Sequence, residues 1–166
     1  MAFVVGEYMD VVDSLTRSRM MSGIRAKNTK PELMVRRFLH AHGYRFRIHR
    51  KDLPGNPDLV FPKLKVCIFV HGCFWHRHPR CRYATNPKTR PEFWSDKFQK
   101  NVARDLTNID SLEKAGWRVL VVWECQLKNN EKILAELLST LKQIKEQSLA
   151  STNNPSSKRA RATQSA

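Results

Sequence analysis

The stretch "DLVFPKLKVCIFVHGCFWHRHPRC", residues 58 to 81, sets the fold. Asp58 to Phe61 reads as a short strand, Pro62-Lys63 as a tight reversal, and Lys65 to Val70 as a more buried strand. The second strand runs straight into three histidines, two cysteines and a Phe-Trp pair between His71 and Cys81. Upstream, "LPGNP" at 53 to 57 is turn chemistry. Before it, "YRFRIHR" at 44 to 50 alternates Tyr44, Phe46 and Ile48 with Arg45, Arg47 and His49, the period of a half-buried strand. These three strands are expected to form a meander. Thr29 followed by Glu32 is a capping box that opens a helix through Met34, Val35, Phe38 and Leu39, ended by Gly43.

Downstream of the irregular stretch 71 to 90, Pro91 suits a first helical turn. The helical pattern continues through Phe93, Trp94, Phe98, Val102, Ile109 and Leu112 to Gly116. Phe93 and Phe98 are expected in its core face. "WRVLVVW" at 117 to 123 reads as another buried strand, and 130 to 147 as a last amphipathic helix. The order is helix, three strands, helix, strand, helix, which is an α/β layer fold with a mixed sheet.

The 166 residues suffice for one domain with a real core. The expected organisation is a leader over 1 to 15, a single domain over 16 to 147, and a basic Ser/Asn/Ala-rich tail over 148 to 166, with both ends disordered. The N-terminus "MAFVVGEYMDVVD" has three acids and no leading basic residue, so it fits neither a signal nor a transit peptide. No apolar run is long enough to span a membrane, and a cytoplasmic protein is expected. The formal charge is +15, and the excess is concentrated: Arg17 to Lys51 holds eleven basic residues and one acid, Glu32. A surface of this kind favours a polyanion, because each neutralised phosphate releases condensed counterions. Nucleic acid is the leading partner class.

Cys73, His78 and Cys81 lie in one loop, and Cys125 sits just past the 117 to 123 strand, where a neighbouring strand end can approach that loop. Thiolates plus imidazole in a closed tetrahedral set suit structural zinc. His76 competes with His78 for the fourth place. The remaining cysteine, Cys67, lies mid-strand and reads as a buried free thiol. If zinc takes Cys73, His78, Cys81 and Cys125, then His71 and His76 are left for acid/base chemistry. Asp58 begins a strand that pairs with the one ending at Val70-His71, so a carboxylate and imidazoles converge on one sheet edge. Phosphodiester cleavage there calls for a hard cation such as Mg²⁺. Glu32 is the capping partner of Thr29 and, as the only acid in its stretch, a candidate to draw a cation or water. Phe74 and Trp75 stand in the same basic loop and Trp94 opens the next helix, as stacking platforms for bases or as ordinary packing.

Together, "LPGNPDLVF", "CIFVHGCFWHRHPRC", "TRPEFW", "KNVARD" and "GWRVLVVWEC" closely resemble the very-short-patch-repair (Vsr) mismatch endonucleases, bacterial enzymes with a variant of the PD-(D/E)XK, restriction-endonuclease-like fold. The resemblance runs from about Thr16 to about Leu127. It implies nicking of DNA beside the thymine of a T·G mismatch, the product of 5-methylcytosine deamination, with catalytic Mg²⁺ and structural Zn²⁺. It further implies Asp58 and the Val70 carbonyl as Mg²⁺ ligands, Glu32 and His71 as holders of water, and His76 as general acid or base. The implied zinc set is Cys73, His78, Cys81 and Cys125. Phe74, Trp75 and Trp94 match intercalating aromatics, and Met21 lies in a minor-groove arm. The acid-x-Lys half of the superfamily signature is absent, and His71 stands where that chemistry is sought. A monomer acting at the nucleoid is expected, with mismatch-repair proteins as further candidate partners. The rival expectations are a non-catalytic zinc-bearing DNA-binding module, and a zinc hydrolase in which His71 and His76 bind the catalytic ion.

Overall fold

The computed structural model describes residues 27–153 together with Asp13, Leu15, Thr16 and Arg19. Most of the expected leader, Met21, and the tail from residue 154 lie outside the described residues. Helix α1 spans Lys30–Ala41 and opens on the expected box: the Glu32 N–H donates to Thr29 Oγ1, and the Glu32 carboxylate accepts from the Thr29 and Asn28 main-chain N–H groups. Its inward side carries Val35 and Leu39, both fully buried.

Strands β1 (Leu59–Phe61) and β2 (Val66–His71) are antiparallel, joined by a single 3-10 turn, Pro62–Leu64, and a left-handed Lys65. Strand β3 (Arg118–Trp123) runs parallel to β2 with His71 opposite Trp123, so the sheet order among the described residues is β1-β2-β3. A parallel pair needs a crossover connection, and helix α2 (Pro91–Lys114) supplies it. Central β2 is buried on both faces, which is why its sequence reads as an unbroken apolar run. Val66 and Ile68 pack with α1 and with Leu134, Leu137, Leu141 and Ile144 of helix α3 (Asn130–Asn153). Cys67 and Phe69 point the other way, toward Leu112 and Ile109 of α2. The result is three layers, with α1 and α3 on one face of the sheet and α2 on the other. No helix among the described residues is long and apolar enough to cross a membrane.

Several expectations are corrected. The 44 to 50 stretch is not a strand: it makes one isolated bridge, Arg47 to Val60, with both N–H···O distances 2.8 Å. Its aromatic residues satisfy themselves differently, Tyr44 and Phe46 packing edge-on to Phe61 at 6.1 and 5.7 Å. Ile48 is left exposed, and His49 at φ +55° turns the chain out of the extended region. The third strand of the sheet is therefore β3, which lies at an edge and is only partly buried. Phe98 is in the core as expected, but Phe93 is exposed. Helix α3 continues beyond residue 147 to Asn153.

The "LPGNP" turn is pressed against α2. A Cβ on Gly55, which adopts φ +73°, would sit 3.0 Å from Asn108 Nδ2, so both the backbone conformation and the contact require glycine. This clamp fixes the approach of Asp58 to the sheet.

Candidate active site and metal centre

At the C-terminal end of β2 the chain enters a loop built from tight turns, with Arg77 and Arg80 in the left-handed region. The turns fold Cys73, His78 and Cys81 onto one another, and the parallel register of β2 and β3 delivers Cys125 to the same point. The four ligand atoms lie within 4.8 Å of one another. His78 Nδ1 is 3.2 Å from Cys125 Sγ and 3.7 Å from Cys73 Sγ. Burial pushes the Cys73 thiol up to about 12. A bound cation reverses that preference by stabilising thiolate, so this group can hold a metal ion. His76 does not join it. Cys67 is buried in the sheet, its thiol raised to about 11 by that burial.

His76 instead turns toward α2, where its Nδ1 lies 2.5 Å from Asp105 Oδ2. A carboxylate only accepts, so Nδ1 carries the proton and donates, which leaves the Nε2 lone pair able to take a proton. The His76 ring stacks on His71 at 3.9 Å and 9°. His71 is buried, and desolvation, aided by the neighbouring His76, holds its imidazole down at about 4. It is neutral at physiological pH. Ligand atoms of His71, His76 and Asp105 also lie within 4.8 Å of one another. Two imidazoles stacked in parallel do not aim their in-plane lone pairs at one ion, however. The pair in this arrangement suits proton handling better than metal binding.

Asp58 stands immediately before β1, and its Oδ2 accepts the Val70 N–H at 2.7 Å. The carboxylate is thereby held beside the Val70 main chain. Burial raises the Asp58 carboxyl to about 6, against the opposing pull of the Val70 bond. Glu32 is buried, ion-paired with Arg36 at 2.9 Å, and engaged with Thr29 and Asn28. Arg36 also reaches the Asp58 carbonyl at 3.4 Å and Asn28 Oδ1 at 2.6 Å, so one guanidinium ties the start of α1 to the start of β1.

Asp58, Glu32, His71, His76 and Asp105 all line one cleft of about 1210 Å³, and its wall includes Lys27, Lys51 and Arg104. The lining thus mixes the carboxylates Glu32, Asp58, Asp105 and Glu124 with the cations Lys27, Lys51 and Arg104, so acid/base groups and positive charge share one wall. At the cleft, Trp75 joins a half-buried aromatic cluster: Phe74 meets Trp75, Trp94 and Phe98 edge-on at 5.0, 5.6 and 5.1 Å. Lys97 Nζ hovers within 6 Å of the Trp75 and Trp94 rings, at 5.8 and 5.9 Å.

Three participants escaped the sequence reading. Asp105 lies on the inward stripe of α2 with Phe98, Asn101 and Leu112, and a carboxylate at a core-facing helical position was the available signal. Arg36 was visible as the i+4 partner of Glu32. Trp123 carried no signal beyond strand periodicity. Its ring stacks on His78 at 4.2 Å and meets His71 edge-on at 5.3 Å.

Comparison with known proteins finds DNA endonucleases. The family model for DNA mismatch endonuclease Vsr matches residues 9–82. The chain is 50% identical over 125 residues to the type II nicking enzyme V.XorIIP of Xanthomonas oryzae, covering 75% of this chain and 91% of that one. It is 42% identical over 137 residues to the type II nicking enzyme V.NmeAIP of Neisseria meningitidis, covering 82% and 97%. Against the DNA mismatch endonuclease Vsr of Escherichia coli it is 45% identical over 130 residues, covering 78% and 83%.

Proposed function

Because the chain belongs to the Vsr family of DNA mismatch endonucleases and is a DNA endonuclease, we propose that it nicks one strand of a duplex beside the thymine of a T·G mispair, by Mg²⁺-dependent hydrolysis. The observation that carries this is the convergence of the Asp58 carboxylate and the His71/His76/Asp105 set in one cleft beside Trp75, with Lys27, Lys51 and Arg104 on the same wall. The biological setting is very short patch repair of deaminated 5-methylcytosine, in the bacterial cytoplasm at the nucleoid, with mismatch-repair proteins as recruiting partners. The protein acts as a monomer with a PD-(D/E)XK-type sheet.

The donor chemistry fits two different ions. A half-buried carboxylate and a main-chain carbonyl, from Asp58 and Val70, are hard oxygen ligands of the kind Mg²⁺ takes alongside water and phosphate oxygens. Three thiols and one imidazole within 4.8 Å suit a closed, structural Zn²⁺ site. When bound, Mg²⁺ supplies Lewis acidity at the scissile phosphate. The side chains do the rest. Asp105 fixes the tautomer of His76, whose Nε2 then takes a proton from the attacking water or gives one to the departing oxygen. Neutral His71 offers hydrogen bonding without adding positive charge, and Glu32, locked by Arg36, adds a fixed acceptor at the cleft wall. Lys27, Lys51 and Arg104 neutralise backbone phosphates. Phe74, Trp75 and Trp94 wedge into the base stack, which opens more readily at a wobble pair.

Digestion of a panel of heteroduplexes, with the nick mapped with and without Mg²⁺, tests the proposal. A nick confined to T·G duplexes, dependent on Mg²⁺ and abolished in Asp58→Ala, is expected. Equal cutting of matched DNA would refute the mismatch specificity.

A further inference from the structure

The thiol–imidazole cluster and the proton-handling pair are joined by one side chain that touches both. Strand β3 ends at Trp123, opposite His71 in the parallel register. The main chain there is tied on both sides: the Glu124 N–H donates to the His71 carbonyl at 2.9 Å, and the Trp123 N–H donates to Gln126 Oε1 at 3.0 Å. With its backbone held, the indole lies flat on the His78 imidazole, 4.2 Å away at 10°, and meets His71 in an edge-to-face contact at 5.3 Å and 75°. Beyond His71 the chain of contacts continues to the stacked His76 and on to Asp105.

We infer that Trp123 is a positioning residue, which sets the ring planes of the His71/His76 pair by bracing them against the rigid cluster around His78. The reason is geometric. An imidazole delivers or takes a proton along its in-plane lone pair, so the orientation of the ring decides whether His76 Nε2 faces the reacting phosphate. The 9° stacking makes the plane of His76 follow that of His71, and Trp123 is the ring that His71 meets edge-to-face on the β3 side. Asp105 fixes only one atom of His76, which leaves rotation about that hydrogen bond to be limited by the stack. A flat ring is required, because an aliphatic side chain can fill the volume but offers neither a face to His78 nor an edge-to-face partner to His71. Trp123 is not among the residues lining the cleft, so this effect reaches the chemistry only through the histidines. The two sites are thus mechanically coupled: ordering the cluster around His78 orders the catalytic pair.

This inference rests on the reading of His76 as the proton-handling group and of the cluster as the zinc site. The test therefore runs parent, His76→Ala, Trp123→Leu and Trp123→Phe side by side. Single-turnover nicking, heteroduplex affinity and zinc content are measured for each, with the imidazole nitrogen resonances of His71 and His76 recorded by NMR. Trp123→Leu is expected to keep one zinc and the parent's affinity for DNA while nicking about 10- to 100-fold more slowly, the scale of loss from a misplaced reacting group. The His71 and His76 resonances should shift in that variant. Trp123→Phe should restore most of the rate and the parent-like resonances. A Trp123→Leu variant with the parent's rate and unshifted resonances would overturn the inference. So would loss of zinc in the Leu and Phe variants alike, which would make Trp123 a simple packing element of the cluster. If His76→Ala itself nicks at the parent's rate, the underlying assignment of His76 fails, and the resonances still report whether Trp123 orients the pair.

Discussion

Asp105 Oδ2 and His76 Nδ1 are 2.5 Å apart although the two residues come from different elements, the middle of α2 and the loop after β2. The contact fixes which nitrogen of His76 carries the proton and which faces the cleft. Asp105→Asn keeps the shape but offers an amide that can present its NH₂ to Nδ1 and favour the opposite tautomer. Replacing the aspartate that sets the tautomer of a proton-handling histidine by asparagine can cost about 10⁴-fold, so the single-turnover rate should drop by at least about 100-fold with heteroduplex affinity unchanged. An Asp105→Asn enzyme as fast as the parent would show that His76 needs no orientation from α2.

Asp58 makes a prediction about stability and pH. Burial lifts its carboxyl from the ordinary 3.8 to about 6, so the folded protein without metal binds that proton more tightly than the unfolded chain does. The stabilisation from this proton is fully present below about pH 4 and is lost as pH rises through about 6. Asp58→Asn removes the buried negative charge and should stabilise the metal-free protein at pH 8, by about 3 kcal/mol at most, with little advantage at pH 4. His71, held down at about 4, acts oppositely in the same window: its contribution is present above 6.5 and lost as pH falls through about 4. Comparing variant with parent at each pH isolates the Asp58 share. Chelator-treated samples melted across pH 4 to 8 provide the measurement, and a variant no more stable than the parent at pH 8 would contradict a net cost of burying the ionised carboxylate.

The thiol cluster predicts that metal content and folding move together. Cys125→Ala removes the thiol that reaches the cluster from beyond β3 and should lower bound zinc and the melting temperature in parallel. Cys67→Ala, which trims a buried side chain in the sheet, should lose some stability but keep its full metal complement. Zinc analysis of the two purified variants distinguishes them, and equal zinc in both would show that Cys125 is not a ligand.

Trp75 lies both in the aromatic cluster and on the cleft wall. Stacking of one aromatic ring on an exposed base is worth roughly 1 to 3 kcal/mol, and a T·G wobble exposes that base at lower cost than a matched pair. Trp75→Ala should therefore weaken binding to T·G duplex more than to matched duplex. Arg104→Ala, removing a cation at the cleft wall, should weaken both alike and reduce the salt dependence. Competition binding at fixed salt decides between a wedge and ordinary packing.

Local chemistry was enough to read much of this protein from its sequence. The Thr29/Glu32 box, the reversal at Pro62, the buried run of β2 and the two long helices each follow from residues near one another in the chain, because caps, turns and periodicity are short-range properties. The gathering of Cys73, Cys81 and Cys125 with one of the two loop histidines was legible because few combinations of thiols and imidazoles have suitable spacing. The role of 44 to 50 was not, since a period of two is satisfied equally by a ladder and by Tyr44 and Phe46 packing on Phe61. Only the tertiary structure decided which histidine joins the thiols and which turns to Asp105, and that Trp123 stands between them. Those choices depend on the parallel register of β2 and β3 and on the rotation of α2 about its axis. Both are set by packing across the two faces of the sheet, between residues far apart in sequence, and no local pattern encodes them.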